Sequence, residues 1–227
     1  MGWDIPVDNY CERIDATFWS EPLNALTNAA FIIAALAATI RYRRADLRDT
    51  YLVFLISIVA LIGAGSFAFH TLATRGAVLL DVVPITVFVY GYLLLALRRF
   101  FDLKTISAVL ALAAFLGASA ALSALTPRNF LNGSSDYLPP LAALYVVGVL
   151  APHDGAQRGV LMAALIFTVS LFFRTIDSAV CGAFPLGTHF VWHVLNAIVL
   201  YVLLITAIDA RGAQINRAKS GEGLTAS

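Results

Sequence analysis

The sequence is poor in charged residues and in cysteine. Asp, Glu, Lys and Arg make up 13% of its 227 residues, about half of their share of roughly 25% in soluble domains. The formal net charge is only +1, so the sequence gives no electrostatic support for binding nucleic acid. Two cysteines exclude a disulfide-rich scaffold but allow a single bridge.

Apolar residues make up 60% of the chain, and the mean hydropathy is +0.83. If all of them packed into one water-soluble core, too few polar residues would remain to cover its surface, so most apolar area must face lipid. The sequence therefore predicts an integral, multi-pass membrane protein. This composition suits a bacterial inner membrane and a eukaryotic endomembrane equally, and it does not indicate an oligomeric state.

Seven apolar segments predict an all-α bundle of seven transmembrane helices, because a helix needs about 20 apolar residues to span a bilayer. They cover residues 22–40, 51–72, 77–97, 105–125, 137–151, 159–177 and 187–208. The fifth segment is the shortest. We expect residues 1–210 to form one domain and residues 211–227, which are rich in Gly, Ser and charge, to form a disordered cytosolic tail.

The distribution of Lys and Arg predicts the orientation. Eleven of the 15 basic residues fall in the first, third and fifth loops and in the C-terminal tail. By the positive-inside rule, the C-terminus is then cytosolic and the N-terminus is outside, in a periplasm or lumen.

Five polar residues occur near the predicted outer ends of three helices. Ser66 and His70 are four residues apart at the end of the second helix, Asp81 lies near the start of the third, and His189 and His193 begin the seventh. Residues four apart share one helix face. Ionisable side chains in a membrane cost free energy, so their presence there indicates a function. The pattern predicts one common site.

Three histidines from two helices match the ligand set of a catalytic zinc ion, which lowers the pKa of bound water to about 7. In such a site Asp81 can take a proton and Ser66 can donate a hydrogen bond to an oxyanion. Each residue alone has a simpler interpretation. The histidines can cap helix ends at the interface, Ser66 can be a small packing residue, and Asp81 can be an N-cap.

The N-terminal stretch is acidic. Asn9, Glu12, Asp15 and Glu21 are hard oxygen donors within thirteen residues, a composition that suits calcium. The alternative is a solvated lead-in to the first helix, with Glu21 preceding Pro22 at the helix start.

Both cysteines fall on the predicted outer side. Cys11 lies in the N-terminal stretch and Cys181 follows the sixth helix. An oxidising compartment permits a bridge between them, and the alternative is two unrelated buried thiols.

Four stretches together resemble the alkaline ceramidase family, within the wider group of seven-helix zinc hydrolases that includes the adiponectin receptors. They are Tyr10–Arg13 with Phe18–Asn28, Gly63–His70, Asp81–Pro84 and His189–Asn196. The resemblance implies zinc held by His70, His189 and His193, with Ser66 and Asp81 beside it. The implied reaction cleaves the amide of a ceramide, a membrane lipid, to a sphingoid base and a fatty acid.

The resemblance also implies a calcium site and a disulfide. The implied calcium ligands are Asn9, the backbone carbonyl of Tyr10, Glu12, Asp15 and Glu21, and the implied disulfide joins Cys11 to Cys181. Two features depart from the family: Asn9 stands where aspartate is usual, and the segment from Glu12 to Glu21 is shorter than in the animal enzymes. Two other functions stay open, namely a receptor or sensor with structural zinc and a hydrolase of another amide or ester lipid.

Overall fold

The computed structural model describes residues 2–127 and 129–221, and these are mainly helical. In chain order the helices are α1 (Pro22–Thr27), α2 (Ala29–Arg44), α3 (Thr50–Leu72), α4 (Arg75–Arg99), α5 (Thr105–Leu125), α6 (Leu138–Leu150), α7 (Asp154–Val180) and α8 (His189–Ser220). Two short 3₁₀ turns, Phe130–Gly133 and Ser135–Tyr137, precede α6.

Six helical segments within the described residues are long and apolar enough to cross a membrane, so the chain is an integral membrane protein. Helices α1 and α2 count as one of them, because Asn28 interrupts an otherwise continuous segment, Pro22–Arg44. Helix α6 is apolar but has only 13 residues, which agrees with the prediction that the fifth segment is the shortest. All seven predicted apolar segments are therefore helical, and six of them have spanning length.

The prediction of a disordered tail from residue 211 is wrong for its first part. Helix α8 continues without a break to Ser220 and ends at Gly221, which has a positive φ of 77°. Helical packing explains the difference, because Gln214 of this extension donates a hydrogen bond to the backbone carbonyl of Arg99. Residues 222–227 of the predicted tail lie outside the described residues.

Six of the segments form a closed ring. Going round it, α2 packs against α3, α3 against α4, α4 against α6, α6 against α7, α7 against α8, and α8 against α2. Helix α5 contacts α4 from the outside, and Ala108 is its buried residue. The apolar side chains on the rest of α5 are therefore available to lipid.

Residues 2–21, here called the N-terminal segment, cover one end of the ring. The segment runs along the turn between α3 and α4, where the amide of Val7 donates to the carbonyl of Ala73 and the amide of Arg75 donates to the carbonyl of Ile5. It then reaches the loop between α7 and α8. We call this end of the bundle the histidine end, because α3 ends there and α8 begins there with their histidines.

Candidate metal centre

Three buried histidines meet at the histidine end. His70, His189 and His193 each offer a ring nitrogen, and these three atoms lie within 4.8 Å of one another. Each residue is at most 2% exposed. In residues 2–127 and 129–221, this is the one group of three or more His, Cys, Asp or Glu side chains with that geometry. The structure therefore brings together the three residues predicted as zinc ligands.

Helix geometry accounts for the convergence. His189 is the first residue of α8 and His193 follows one turn later, so both rings lie on one face. His70 belongs to the last turn of α3. Its ring centroid lies 5.2 Å from that of His189 and 4.7 Å from that of His193.

Glu21 holds the ring of His70. The Oε2 atom of Glu21 lies 2.6 Å from Nδ1 of His70, and both side chains are buried. Nε2 of His70 is also buried and has no hydrogen-bond partner. A carboxylate on the far nitrogen of a metal-binding histidine fixes its orientation and raises its basicity.

Thr27 of α1 holds the ring of His193. Its Oγ1 atom lies 3.0 Å from Nδ1 of His193. The hydroxyl of Thr27 also lies within hydrogen-bond distance of two backbone carbonyls of its own helix, those of Leu23 and Asn24. Since a hydroxyl has one hydrogen, a Thr27 hydroxyl that donates to either carbonyl accepts from Nδ1 of His193, and Nε2 then carries the free lone pair.

Asp177 of α7 fixes the start of α8. Its Oδ1 atom accepts the backbone N–H groups of Thr188 and His189, at 2.6 and 2.9 Å. Its Oδ2 atom accepts the backbone N–H of Cys11 at 3.1 Å. The side chain is fully buried, so one carboxylate caps the helix that carries two histidines and also binds the N-terminal segment.

The donor set fits a metal ion. Nε2 of His70 and Nδ1 of His189 are buried without a hydrogen-bond partner, an arrangement that costs free energy unless something else satisfies those atoms. Three neutral imidazoles are a ligand set of catalytic zinc. The ring of Tyr10 stacks on His189 with centroids 3.6 Å apart and helps to shield the group from water.

Ser66 and Asp81 lie beside the histidines. Ser66 precedes His70 by one turn of α3 and is buried. Asp81 lies about two turns inside α4, whose N-cap is Thr74, so the N-cap interpretation of Asp81 is wrong. The Oδ1 atom of Asp81 is buried without a hydrogen-bond partner. Ser66, Asp81, His189 and His193 line one cavity.

Gly65 allows α3 and α4 to approach closely at this point. A Cβ atom on Gly65 would collide with the backbone carbonyl of Leu80, the residue before Asp81. The missing side chain therefore lets the helix with Ser66 lie directly against the helix with Asp81.

The cavity continues away from the histidines and is mostly apolar. Its wall includes Phe31, Ile62, Phe88, Leu144, Phe167 and Leu203. Arg174 also lines it, and its Nη1 atom donates to Oγ of Ser134 at 2.7 Å. The cavity thus has polar groups near the histidines and apolar walls beyond.

A family model described as Ceramidase matches residues 8–222 of the chain. The chain belongs to the ceramidase family. No individual curated protein matches it. The chain is thus a ceramidase-type hydrolase, and the family suggests a reaction at an amide bond.

The cysteines of this ceramidase family member form the expected disulfide. Cys11 and Cys181 are bonded, with their Cα atoms 5.3 Å apart. The bridge joins the N-terminal segment to the end of α7 beside Asp177. The prediction of a disulfide is confirmed, and the alternative of two unrelated thiols is wrong.

The residues predicted as calcium ligands are engaged with protein groups. The two carboxylate oxygens of Glu12 accept the backbone N–H groups of Leu23 and Asn24, at 2.6 and 2.8 Å. Burial raises the pKa of Glu12, and these two N–H groups partly oppose the rise. Asn9 and Asp15 are exposed. These contacts provide no calcium coordination sphere, so calcium binding stays a prediction.

Three residues that contact the candidate metal centre do not follow from the sequence pattern. Glu21 was assigned to calcium but contacts His70, and Thr27 and Asp177 had no assigned role. Thr27 had a signal, because it continues a polar face with Asn24 and Asn28 on an apolar helix. No local signal connects Asp177 to His189, which lies twelve residues further along the chain.

Proposed function

We propose that this protein is a zinc-dependent membrane amidase, which hydrolyses the N-acyl bond of ceramide or a related lipid to a sphingoid base and a free fatty acid. One observation carries the proposal: His189 and His193 of the three-histidine group line, together with Ser66 and Asp81, a long and mostly apolar cavity. A purely structural metal site needs neither a neighbouring serine and aspartate nor an adjoining apolar cavity.

His70, His189 and His193 would hold the zinc. When bound, zinc supplies Lewis acidity toward water and toward the substrate carbonyl. The protein positions the three rings in advance, through Glu21 on His70, Thr27 on His193 and the cap of Asp177 at the start of α8.

Asp81 and Ser66 would carry out the proton transfer and the charge stabilisation. Asp81 has a buried carboxylate oxygen without a partner, so it is free to accept a proton from the attacking water and to deliver it to the leaving amine. Ser66 would donate its hydroxyl hydrogen to the oxygen of the amide carbonyl as negative charge develops there. The products are then a neutral or protonated amine and a fatty acid.

The cavity would hold the alkyl part of the substrate. Its wall extends along α8 from His189 to Leu203, and fourteen residues of helix correspond to roughly 21 Å at 1.5 Å per residue. That length is a large part of the roughly 30 Å hydrocarbon core. An amide at the polar end would therefore lie beside Asp81 while an acyl or sphingoid chain follows the apolar wall.

In the membrane, we place the histidine end on the outer side. The Lys and Arg distribution supports this orientation. It also suits the disulfide between Cys11 and Cys181, because oxidising compartments lie outside the cytosol. Helix α6 would be the seventh crossing, extended at its N-terminal end by the turn Ser135–Tyr137.

The proposed reaction does not include calcium. The carboxylate of Glu12 accepts backbone N–H groups, and the carboxylate of Glu21 contacts Arg13 and His70. These two carboxylates are therefore not directed at a common point.

The test is hydrolysis of matched lipids by the purified protein in bilayer nanodiscs. Ceramide, an N-acyl amine without the sphingoid hydroxyls, and an ester of the same chain lengths are compared, and the released fatty acid is measured. Amide cleavage that falls at least a hundredfold in Asp81→Asn is expected, with zinc content unchanged. A protein that binds zinc but cleaves none of these lipids would favour the receptor or sensor function, and preferential ester cleavage would replace the amidase assignment.

A further inference from the structure

Arg13 is a buried cation at the centre of the N-terminal segment. Its side chain is 4% exposed, and its Nε atom lies 2.5 Å from Oε1 of Glu21. Its Nη2 atom donates to the backbone carbonyl of His70 at 2.9 Å. The guanidinium therefore bonds both to the carboxylate that holds His70 and to the backbone of His70 itself.

The partners of Arg13 overlap with the predicted calcium ligands. Its Nη1 atom donates to the backbone carbonyl of Asp15 at 3.1 Å, and its own backbone N–H donates to the carbonyl of Tyr10 at 3.2 Å. With Glu21, Arg13 thus contacts three of the five residues that the resemblance assigned to calcium. The guanidinium of Arg13 thus binds a carboxylate oxygen of Glu21 and the backbone carbonyl of Asp15, and the backbone N–H of Arg13 binds the carbonyl of Tyr10.

We infer that the guanidinium of Arg13 takes the place of calcium in this chain, and that it acts as a positioning residue for His70 through Glu21. The N-terminal segment then needs no added divalent cation. The positioning role rests on the proposed function, because it concerns a zinc ligand, whereas the replacement of calcium does not.

Electrostatics supports the replacement. A calcium ion within reach of Glu21 would place two positive charges a few ångströms from a buried guanidinium, and such repulsion is poorly screened in a protein interior. The remaining buried carboxylate of the segment, Glu12, accepts backbone N–H groups at the start of α1. That role stabilises the helix and requires no metal.

The replacement also links the N-terminal segment to the histidines. The guanidinium is planar and offers donors in fixed directions, and here they reach Glu21, Asp15 and His70. A lysine would supply the charge but not the same three directed bonds. Arg13→Lys is therefore expected to retain part of the positioning of Glu21 and His70, and Arg13→Gln is expected to retain none of it.

Calcium titration of the purified protein is the first test. We expect no saturable binding in calorimetry, and no change in melting temperature on addition of millimolar calcium or of a calcium-selective chelator. Stoichiometric calcium binding by the wild type, or a melting temperature that falls with the chelator, would overturn the inference. This readout needs no substrate, so it stands even if the protein proves inert on ceramide.

Zinc affinity of Arg13 variants is the second test. Loss of an outer-shell partner typically weakens a metal site 10–100-fold, so Arg13→Gln is expected to lower zinc affinity by that factor, with Arg13→Lys intermediate. The matched control is Arg75→Gln, which changes an exposed arginine at the same end of the bundle and should leave zinc affinity unchanged. Wild-type zinc affinity in folded Arg13→Gln would overturn the positioning role. If that variant does not fold, Arg13→Lys is compared with the wild type instead. Unchanged zinc affinity in Arg13→Lys would contradict the positioning of His70 by the directed bonds of the guanidinium.

Discussion

The carboxylate of Glu21 lies 2.6 Å from Nδ1 of His70, and both groups are buried. Forty-nine residues separate them in the sequence. Glu21 immediately precedes α1, and through this contact it orients His70, a candidate zinc ligand on α3. The contact also connects the N-terminal segment, which covers the histidine end, to the three-histidine group.

Glu21→Gln is expected to lower zinc affinity about 10–100-fold, because an amide is a weaker acceptor for the His70 ring than a carboxylate. Competition with a fluorescent zinc chelator measures the affinity. Asp15→Asn is the control, since Asp15 is exposed and its carboxylate bonds to Thr17. Equal affinities in Glu21→Gln and the wild type would contradict the role of Glu21.

Thr27→Val tests the support of His193. Valine keeps the shape of threonine but removes the acceptor of the His193 ring proton, so a fall in zinc affinity of about tenfold or more is expected. Thr39→Val is the matched control, because Thr39 bonds to the Ala35 carbonyl of its own helix. A variant whose zinc affinity equals that of Thr39→Val would show that the hydroxyl is dispensable.

Gly65→Ala tests the close contact of α3 and α4. The added methyl group collides with the carbonyl of Leu80, and overpacking of this kind typically costs about 1–3 kcal/mol. We expect a lower melting temperature and a lower kcat for lipid hydrolysis, because Ser66 and Asp81 move apart. Gly117→Ala on α5 is the control, since its Cβ would meet open space. Full kcat in Gly65→Ala would contradict the need for this spacing.

Asp49 stabilises the end of the bundle opposite the histidines. It caps α3 through the N–H groups of Tyr51 and Leu52 and accepts two bonds from Arg99, at 2.7 and 3.1 Å. Burial alone would raise its pKa, but the bonds from Arg99 and Leu52 outweigh burial and hold it below the ordinary value. Its contribution to stability is therefore complete above the ordinary carboxyl pKa, about 3.9, and is lost as the pH falls through the lower folded-state pKa.

Asp49→Asn is expected to lose about 1–3 kcal/mol of stability at neutral pH, from the weakened cap and the broken ion pair. The difference from the wild type should shrink as the pH falls below about 4. Thermal unfolding across a pH series measures it, with exposed Asp46→Asn as the control. A stability difference that is independent of pH would contradict the ionised state of Asp49.

The helices were predictable because lipid imposes a simple rule on the sequence. The apolar runs of spanning length are helical at the predicted places, but the observed helix ends differ from the predicted ones. Helix α2 continues to Arg44 and α4 begins at Arg75, since basic side chains at helix ends extend beyond the apolar run. Helix α8 continues past the apolar run because its far end packs on Arg99.

The three histidines were predictable because their spacing and their shared end of the bundle are both visible in sequence. Their supporting contacts were not. Thr27 and His193 are 166 residues apart, and only the folded ring of helices brings α1 beside α8. The same holds for Arg13. Its contact with His70 forms only when the N-terminal segment folds back over α3, and the sequence does not reveal this contact.

Bound zinc and ceramide hydrolysis, measured together on the same purified samples, test the central claim most directly. The wild type and His153→Ala, which changes an exposed histidine at the start of α7, should both hold zinc and release fatty acid from ceramide. His193→Ala should lose both properties, and zinc added back to chelator-stripped wild type should restore hydrolysis. Hydrolysis at the wild-type rate by metal-free protein or by His193→Ala would contradict the account.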